Sequence, residues 1–277
     1  GGINVNAVPY GRITGIATNK FYSPEDLSGK GSVNITNCQF RDLGCPINLC
    51  SYHSHVFIDN NYFVTTYGKC SANNGGFPGG MIHFSNGPFY DKIIITNNYF
   101  AGYDLPVTRN QDGSISAPDM TFLQAYSTTK TTLQGQSLLF NFIELPENAI
   151  HIDGGSNIAE IIISNNTIKG FWIEGIKTDR YNISNDTGSI IISDNIIDNT
   201  IPLGSQSYQQ GSCIVVNGSN ATISNNHCIC GGSAISINQQ ARLLNLKNIN
   251  IVGNTITKKG IATTGYSGSP LVNDAGA

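Results

Sequence analysis

Four short apolar stretches of this 277-residue chain carry residues able to handle protons: Met81-Ile82-His83-Phe84, Phe122-Leu123-Gln124-Ala125, Ala149-Ile150-His151-Ile152-Asp153 and Gly175-Ile176-Lys177-Thr178-Asp179. In a β-strand successive side chains point to opposite faces. With Ile82, Leu123, Ile150 and Ile176 turned inward, His83, Gln124, His151 and Lys177 turn outward, followed two residues on by Ser85, Tyr126, Asp153 and Asp179. Stacked in register on four successive rungs, they share one face at a spacing of about 5 Å. The equivalent later positions, Val215 with Asn217 and Ser236 with Asn238, are chemically mild, so the reactive groups cluster in the middle.

The chemistry such a face offers is glycosidic cleavage. Two carboxylates on adjacent rungs, Asp153 and Asp179, repel, so one holds its proton to higher pH than the other. Hydrolysis needs that asymmetry, one acid for the leaving oxygen and one base or nucleophile opposite. A gap of about 5 Å goes with retention and about 6.5–9.5 Å with inversion. Glu174 is a third candidate for the pair, and Lys177, Arg180 and His151 can bind acidic sugar groups or settle developing charge. Trp172, the only tryptophan, offers a flat face to a sugar ring; His83, Gln124 and Tyr126 complete the substrate-binding set. Each residue also has an ordinary reading: an Asp can cap the next turn, a His can be plain surface, a Trp can be core. Their joint placement on one face argues for function.

Composition says what holds such a face. The chain has 37 Ile against 14 Leu and 33 Asn against 5 Glu, which favours strands and tight turns over helices. All-α folds are excluded and alternating βαβ folds disfavoured. A net charge of −3, with 12% charged residues, argues against nucleic-acid binding, and no run approaches the ~18 apolar residues of a membrane helix. Seven cysteines without regular spacing read as free buried thiols rather than a zinc site or disulfide framework. Six N-x-[ST] sequons are what chance gives in a chain this rich in Asn, Ser and Thr. No signal peptide is expected, and a Gly-Gly start reads as a processed product or a fragment.

One motif recurs: an apolar run, an Ile, a small polar residue, Asn, then an apolar residue. It reads NITNCQF, FIDNNYF, IITNNYF, IISNNTI, IISDNII, TISNNHC and NIVGNTI, with a degraded LLFNFI at Leu138. The last Ile or Leu before each turn falls at Ile35, Ile58, Ile95, Leu139, Ile163, Ile192, Ile223 and Ile251. The steps of 23, 37, 44, 24, 29, 31 and 28 residues fit one supersecondary unit with variable loops. Strands this short cannot bury a face alone, so the units must stack, with Ile columns inside and Asn bonding along one corner. Each coil then reads strand, variable turn, Ile-rich strand, Asn corner, short strand, loop. The longest loops, Thr65–Gly80, Ala101–Asp119 and Asp198–Gly211, would wall a groove along the polar face.

This pattern over roughly residues 10–260 resembles the right-handed parallel β-helix of the pectate-lyase-like superfamily, whose Asn-marked corner matches the Asn turns here. The expected fold is all-β, a solenoid of about nine coils with three short strands each, forming one domain over 1–277 with a tail at 261–277. Sparse charge, abundant Asn, Ser and Thr, and wandering loops are most similar to a bacteriophage tailspike. That resemblance implies a polysaccharide depolymerase, a glycoside hydrolase displayed as a homotrimer on a virion or otherwise extracellular. Its partner would be a capsular or lipopolysaccharide O-chain substrate, with no nucleic acid, membrane or cofactor. Similarity to pectate lyases implies instead a β-eliminating lyase, with Asp153 and Asp179 on Ca²⁺ and Lys177, Arg180 or a His as base. A non-catalytic carbohydrate-binding adhesin is the remaining reading.

Overall fold

The structure is a computed structural model that describes residues 14–18, 31–41, 45–49, 53–64, 80–84, 89–102, 108–109, 115–116, 148–152, 157–171, 174–179, 188–199, 212–230, 233–237 and 246–258. These form a right-handed parallel β-helix with no helix among the described residues. Seven strands stack in each of three parallel sheets. The first sheet holds β1 (Thr14–Thr18), β4 (Cys45–Leu49), β7 (Gly80–Phe84), β12 (Asn148–Ile152), β15 (Glu174–Asp179), β18 (Ser212–Asn217) and β21 (Ile235–Ile237). The second holds β2 (Gly31–Thr36), β5 (His53–Asp59), β8 (Phe89–Thr96), β13 (Asn157–Ser164), β16 (Ser189–Ser193), β19 (Ala221–Ser224) and β22 (Ile249–Val252). The third holds β3 (Gln39–Arg41), β6 (Tyr62–Val64), β9 (Tyr99–Ala101), β14 (Thr167–Lys169), β17 (Ile196–Asn199), β20 (His227–Cys230) and β23 (Thr255–Lys258). A separate antiparallel pair joins β10 (Thr108–Arg109) to β11 (Ile115–Ser116).

Ile builds the interior because a β-branched side chain fits a pleated, buried surface. In the second sheet Ile35, Ile58, Ile95, Ile163, Ile192, Ile223 and Ile251 stand in one register. All but the last are nearly or wholly buried. The third sheet adds a stack of Phe40, Phe63 and Phe100, with ring centroids 4.8 and 4.7 Å apart. Cys213, Cys228 and Cys230 are buried free thiols, and burial together with the neighbouring Cys228 and Cys230 pushes the Cys213 thiol up, away from reactive thiolate.

The corner between second and third sheets explains the abundance of Asn. Asn37, Asn60, Asn97, Asn165, Asp194, Asn225 and Gly253 turn the chain with φ between 53° and 68°, a left-handed conformation that Asn and Gly tolerate best. The next residue points inward and bonds along the stack. Asn61, Asn98, Asn166, Asn195 and Asn226 each donate from backbone N and from Nδ2 to the Oδ1 of the following rung, at 2.9–3.1 Å. Each Nδ2 also reaches the Ile carbonyl of the rung before it, at Ile35, Ile58, Ile95, Ile163 and Ile192. The ladder thus satisfies amide groups that a buried tight corner would otherwise orphan.

Two expected rungs are corrected. β7 pairs directly with β12, and β8 directly with β13, so no strand of either sheet stands between His83 and His151 or between Ile95 and Ile163. The Gln124 and Leu139 rungs predicted there are not part of these ladders. Gln124 and Leu139 themselves lie outside the described residues.

Candidate functional site

The first sheet aligns Asn48, His83, His151, Lys177, Val215 and Ser236 in one register, with Asp179 opposite Asn217 two residues later. His83, His151, Lys177 and Asp179 therefore do share a face. The strand alternation fails just before this row. A Cβ on Gly175 would meet Ile197 Cγ2 at 2.8 Å and the Cys213 carbonyl at 2.9 Å, so position 175 faces the interior, like the core residues Ala149 and Cys213 in its register neighbours. A Cβ on Gly80 would stand 3.4 Å from the His151 Cβ. Position 80 thus turns toward His151, and Glu174, in the same register column as Gly80, Asn148 and Ser212, is buried.

The contacts centre on Asp179. Its Oδ2 accepts from His151 Nε2 at 3.0 Å and from Lys177 Nζ at 3.2 Å, while Oδ1 accepts from Asn217 Nδ2. On the next rung His83 Nδ1 donates to Asn48 Oδ1 at 3.1 Å, and the two imidazole centroids are 5.4 Å apart. Burial alone would raise the Asp179 pKa. The His151 hydrogen bond, the Lys177 charge and the Asn217 amide outweigh it and hold the carboxyl below its ordinary value. Burial, helped by repulsion from His151, pushes His83 down to about 3, so it is neutral in ordinary buffers.

This corrects one expectation. Asp179 does not point into solvent: it is 1% exposed, and His83 and His151 are 2% and 6% exposed. Lys177 is half-buried. Asp153, Gln124, Tyr126, Trp172 and Arg180 lie outside the described residues, so the Asp153–Asp179 separation is not described. Asn48 escaped the sequence reading and Asn217 was read as mild; both face an ionisable group from a neighbouring rung, and their register positions were the available signal. Among the described residues no group of three His, Cys, Asp or Glu is placed to hold a metal ion.

The other outer faces are plainer. On the second sheet Lys92 and Glu160 pair at 2.6 Å, each about one-third exposed, an ordinary surface ion pair. On the third sheet Tyr62 and Tyr99 stack at 4.9 Å, so each covers one ring face of the other, and Lys169 Nζ lies 5.7 Å from the Tyr99 centroid.

Compared with family models, with curated proteins and with solved structures, the chain has no match. Roles for these residues therefore rest on their chemistry.

Proposed function

We propose that the chain is a polysaccharide depolymerase that hydrolyses glycosidic bonds on the outer face of the first sheet. The observation that carries this reading is the contact of Asp179 with His151 and Lys177, in register with His83, on a sheet whose later rungs carry only Val215 and Ser236. Four ionisable side chains brought to one patch, three of them buried, need a reason, and perturbed groups gather where proton chemistry is done. An ionised Asp179 cannot be the acid of the pair. That role falls to Glu174 or Asp153, with Asp179 on the basic side. By resemblance to tailspikes of the pectate-lyase-like superfamily, the substrate is a bacterial surface or extracellular glycan, and the protein is an extracellular or virion-borne homotrimer without a cofactor.

Burial of Asp179 and His151 favours a second reading, in which the network braces a carbohydrate-binding adhesin shaft. One experiment separates the readings. The protein is incubated with panels of capsular, O-chain and cell-wall polysaccharides, and products and binding are both measured. New reducing ends establish the hydrolase. Absorbance from an unsaturated uronate would make it a lyase, for which a Ca²⁺ requirement is the further check. Retained binding with neither product would establish the adhesin and overturn the enzyme.

A further inference from the structure

We infer that His151, through Nδ1, is the proton-accepting residue of this site, and that Asp179 is a positioning residue acting on His151 rather than on substrate; this rests on the glycan-cleaving reading above. Both Asp179 oxygens are already engaged. Oδ2 takes two donors and Oδ1 takes the Asn217 amide, and the carboxylate is 1% exposed. A carboxylate held this firmly as the anion, with three donors already on it, is a weak base.

His151 is in the opposite condition. Because Asp179 is an acceptor only, the hydrogen on that 3.0 Å contact sits on Nε2. The neutral ring then carries its lone pair on Nδ1, which is buried and makes no hydrogen bond among the described residues. A buried acceptor left open costs stability, and an open acceptor at a site is the place for a donor that arrives with the ligand. That donor is a hydroxyl: a sugar OH, or the attacking water.

Around this ring stand Asp179 and Lys177 from β15, His83 from β7 and the uncharged Asn217 from β18. His83 stays neutral and does not compete for the proton. In the hydrolytic step Nδ1 takes a proton from water while the water oxygen bonds to the anomeric carbon. The bond to the leaving sugar breaks, its electron pair remains on the glycosidic oxygen, and that oxygen takes the proton of the acid of the pair, Glu174 or Asp153. The imidazolium so formed is stabilised by Asp179, and return of its proton to that acid through solvent resets the site.

The test uses a glycan that the wild-type chain cleaves. His151→Gln keeps an amide donor for Asp179 and hence the fold, but has no base. It should lose at least about 100-fold in rate, the usual contribution of a general base. His151→Ala should lose as much and recover part of it with added imidazole, while Asp179→Asn should be slow and gain nothing from imidazole. Independently of activity, ¹⁵N NMR of the neutral His151 ring should find the proton on Nε2. Wild-type rates in His151→Gln, or a neutral ring protonated on Nδ1, would overturn the inference and leave the depolymerase standing if Asp179→Asn is inactive. Failure of the wild-type chain to cleave any glycan would remove the depolymerase itself, and this inference with it.

Discussion

The Asn corner and the outer face of the first sheet are built from the same register and obey opposite rules. At the corner the same residue recurs on rung after rung, from Asn61 to Asn254, and every amide meets an identical one. On the outer face no two neighbours are alike after the histidine pair: Asn48, His83, His151, Lys177, Val215, Ser236. Repetition is what stacking rewards, because an identical neighbour presents a matching donor and acceptor at each step of about 4.8 Å. Departure from repetition brings unlike charges and imidazoles into contact and strains their ionisation, which is unnecessary for the fold. Stability is therefore written in the columns that repeat, and the proposed chemistry lies in the column that does not.

If that division is right, the largest loss of stability should come from the middle of the ladder. Asn166→Ala removes the acceptor for Asn98 N and Nδ2, and the donor to the Ile95 carbonyl. Orphaning these buried groups should cost about 3–5 kcal/mol, read as a lower urea midpoint. Any change in glycan turnover should follow only from unfolding. Wild-type stability in Asn166→Ala would break the comparison.

Next in size is the acid response of the outer face. The unfolded His83 binds a proton below about 6.5, the folded one only below about 3. The unfolded state thus holds more protons across that window, and stability falls as pH drops through it, by an amount on the order of 4 kcal/mol if the shift is fully expressed. Asp179 acts in the same direction further down. Its lowered carboxyl contributes stability above its ordinary value of 3.8 that is lost as pH falls through the folded value. His83→Gln should flatten the dependence of the urea midpoint on pH between 6.5 and 3 while leaving the lower region unchanged. An unaltered slope in the variant would show that the imidazole is not held neutral.

Much of this was legible in the residues, and the failures have physical causes. The Ile column and the first-sheet rows follow from period-two alternation and from the recurring Asn-corner motif, and the observed registers reproduce both except for the Gln124 and Leu139 rungs. Leu139 reads as a rung because it stands in a long gap within LLFNFI, a degraded copy of the motif. A stricter signal was present. Three residues after Ile58, Ile95, Ile163, Ile192, Ile223 and Ile251 lies the inward Asn of the ladder, whereas three residues after Leu139 lies Phe142. A phenyl ring cannot accept from Asn98 or donate to Ile95, so no coil can be inserted there without cutting the ladder. Burial of His83, His151 and Asp179 was not legible, because alternation tells which face a side chain takes and not how exposed that face is. Nor was the kink at Gly175, since it breaks the alternation used to read the strand.

A smaller effect tests that kink. A methyl at position 175 would overlap Ile197 Cγ2 and the Cys213 carbonyl, and the carbonyl belongs to the adjacent rung and cannot swing aside as a side chain can. Gly175→Ala should cost about 1–3 kcal/mol by overpacking, visible as a lower melting temperature, and should disturb the Lys177–Asp179 segment two to four residues on. A variant as stable as wild type would mean that the kink is soft.

The smallest effect is expected where the ladder ends. Asn254 accepts from Asn226 N and Nδ2 and donates to the Ile223 carbonyl, as its counterparts do, but it is only partly buried and its neighbours Ile251 and Ile256 are 39% and 44% exposed. Water can replace most of what its side chain supplies, so Asn254→Ala should cost about 1 kcal/mol or less. The same chemical change thus takes a graded toll set by depth in the stack, large at Asn166 and slight at Asn254. Equal losses at both sites, measured by urea denaturation in one buffer, would mean that the ladder acts as a single cooperative string rather than as a sum of locally buried amides.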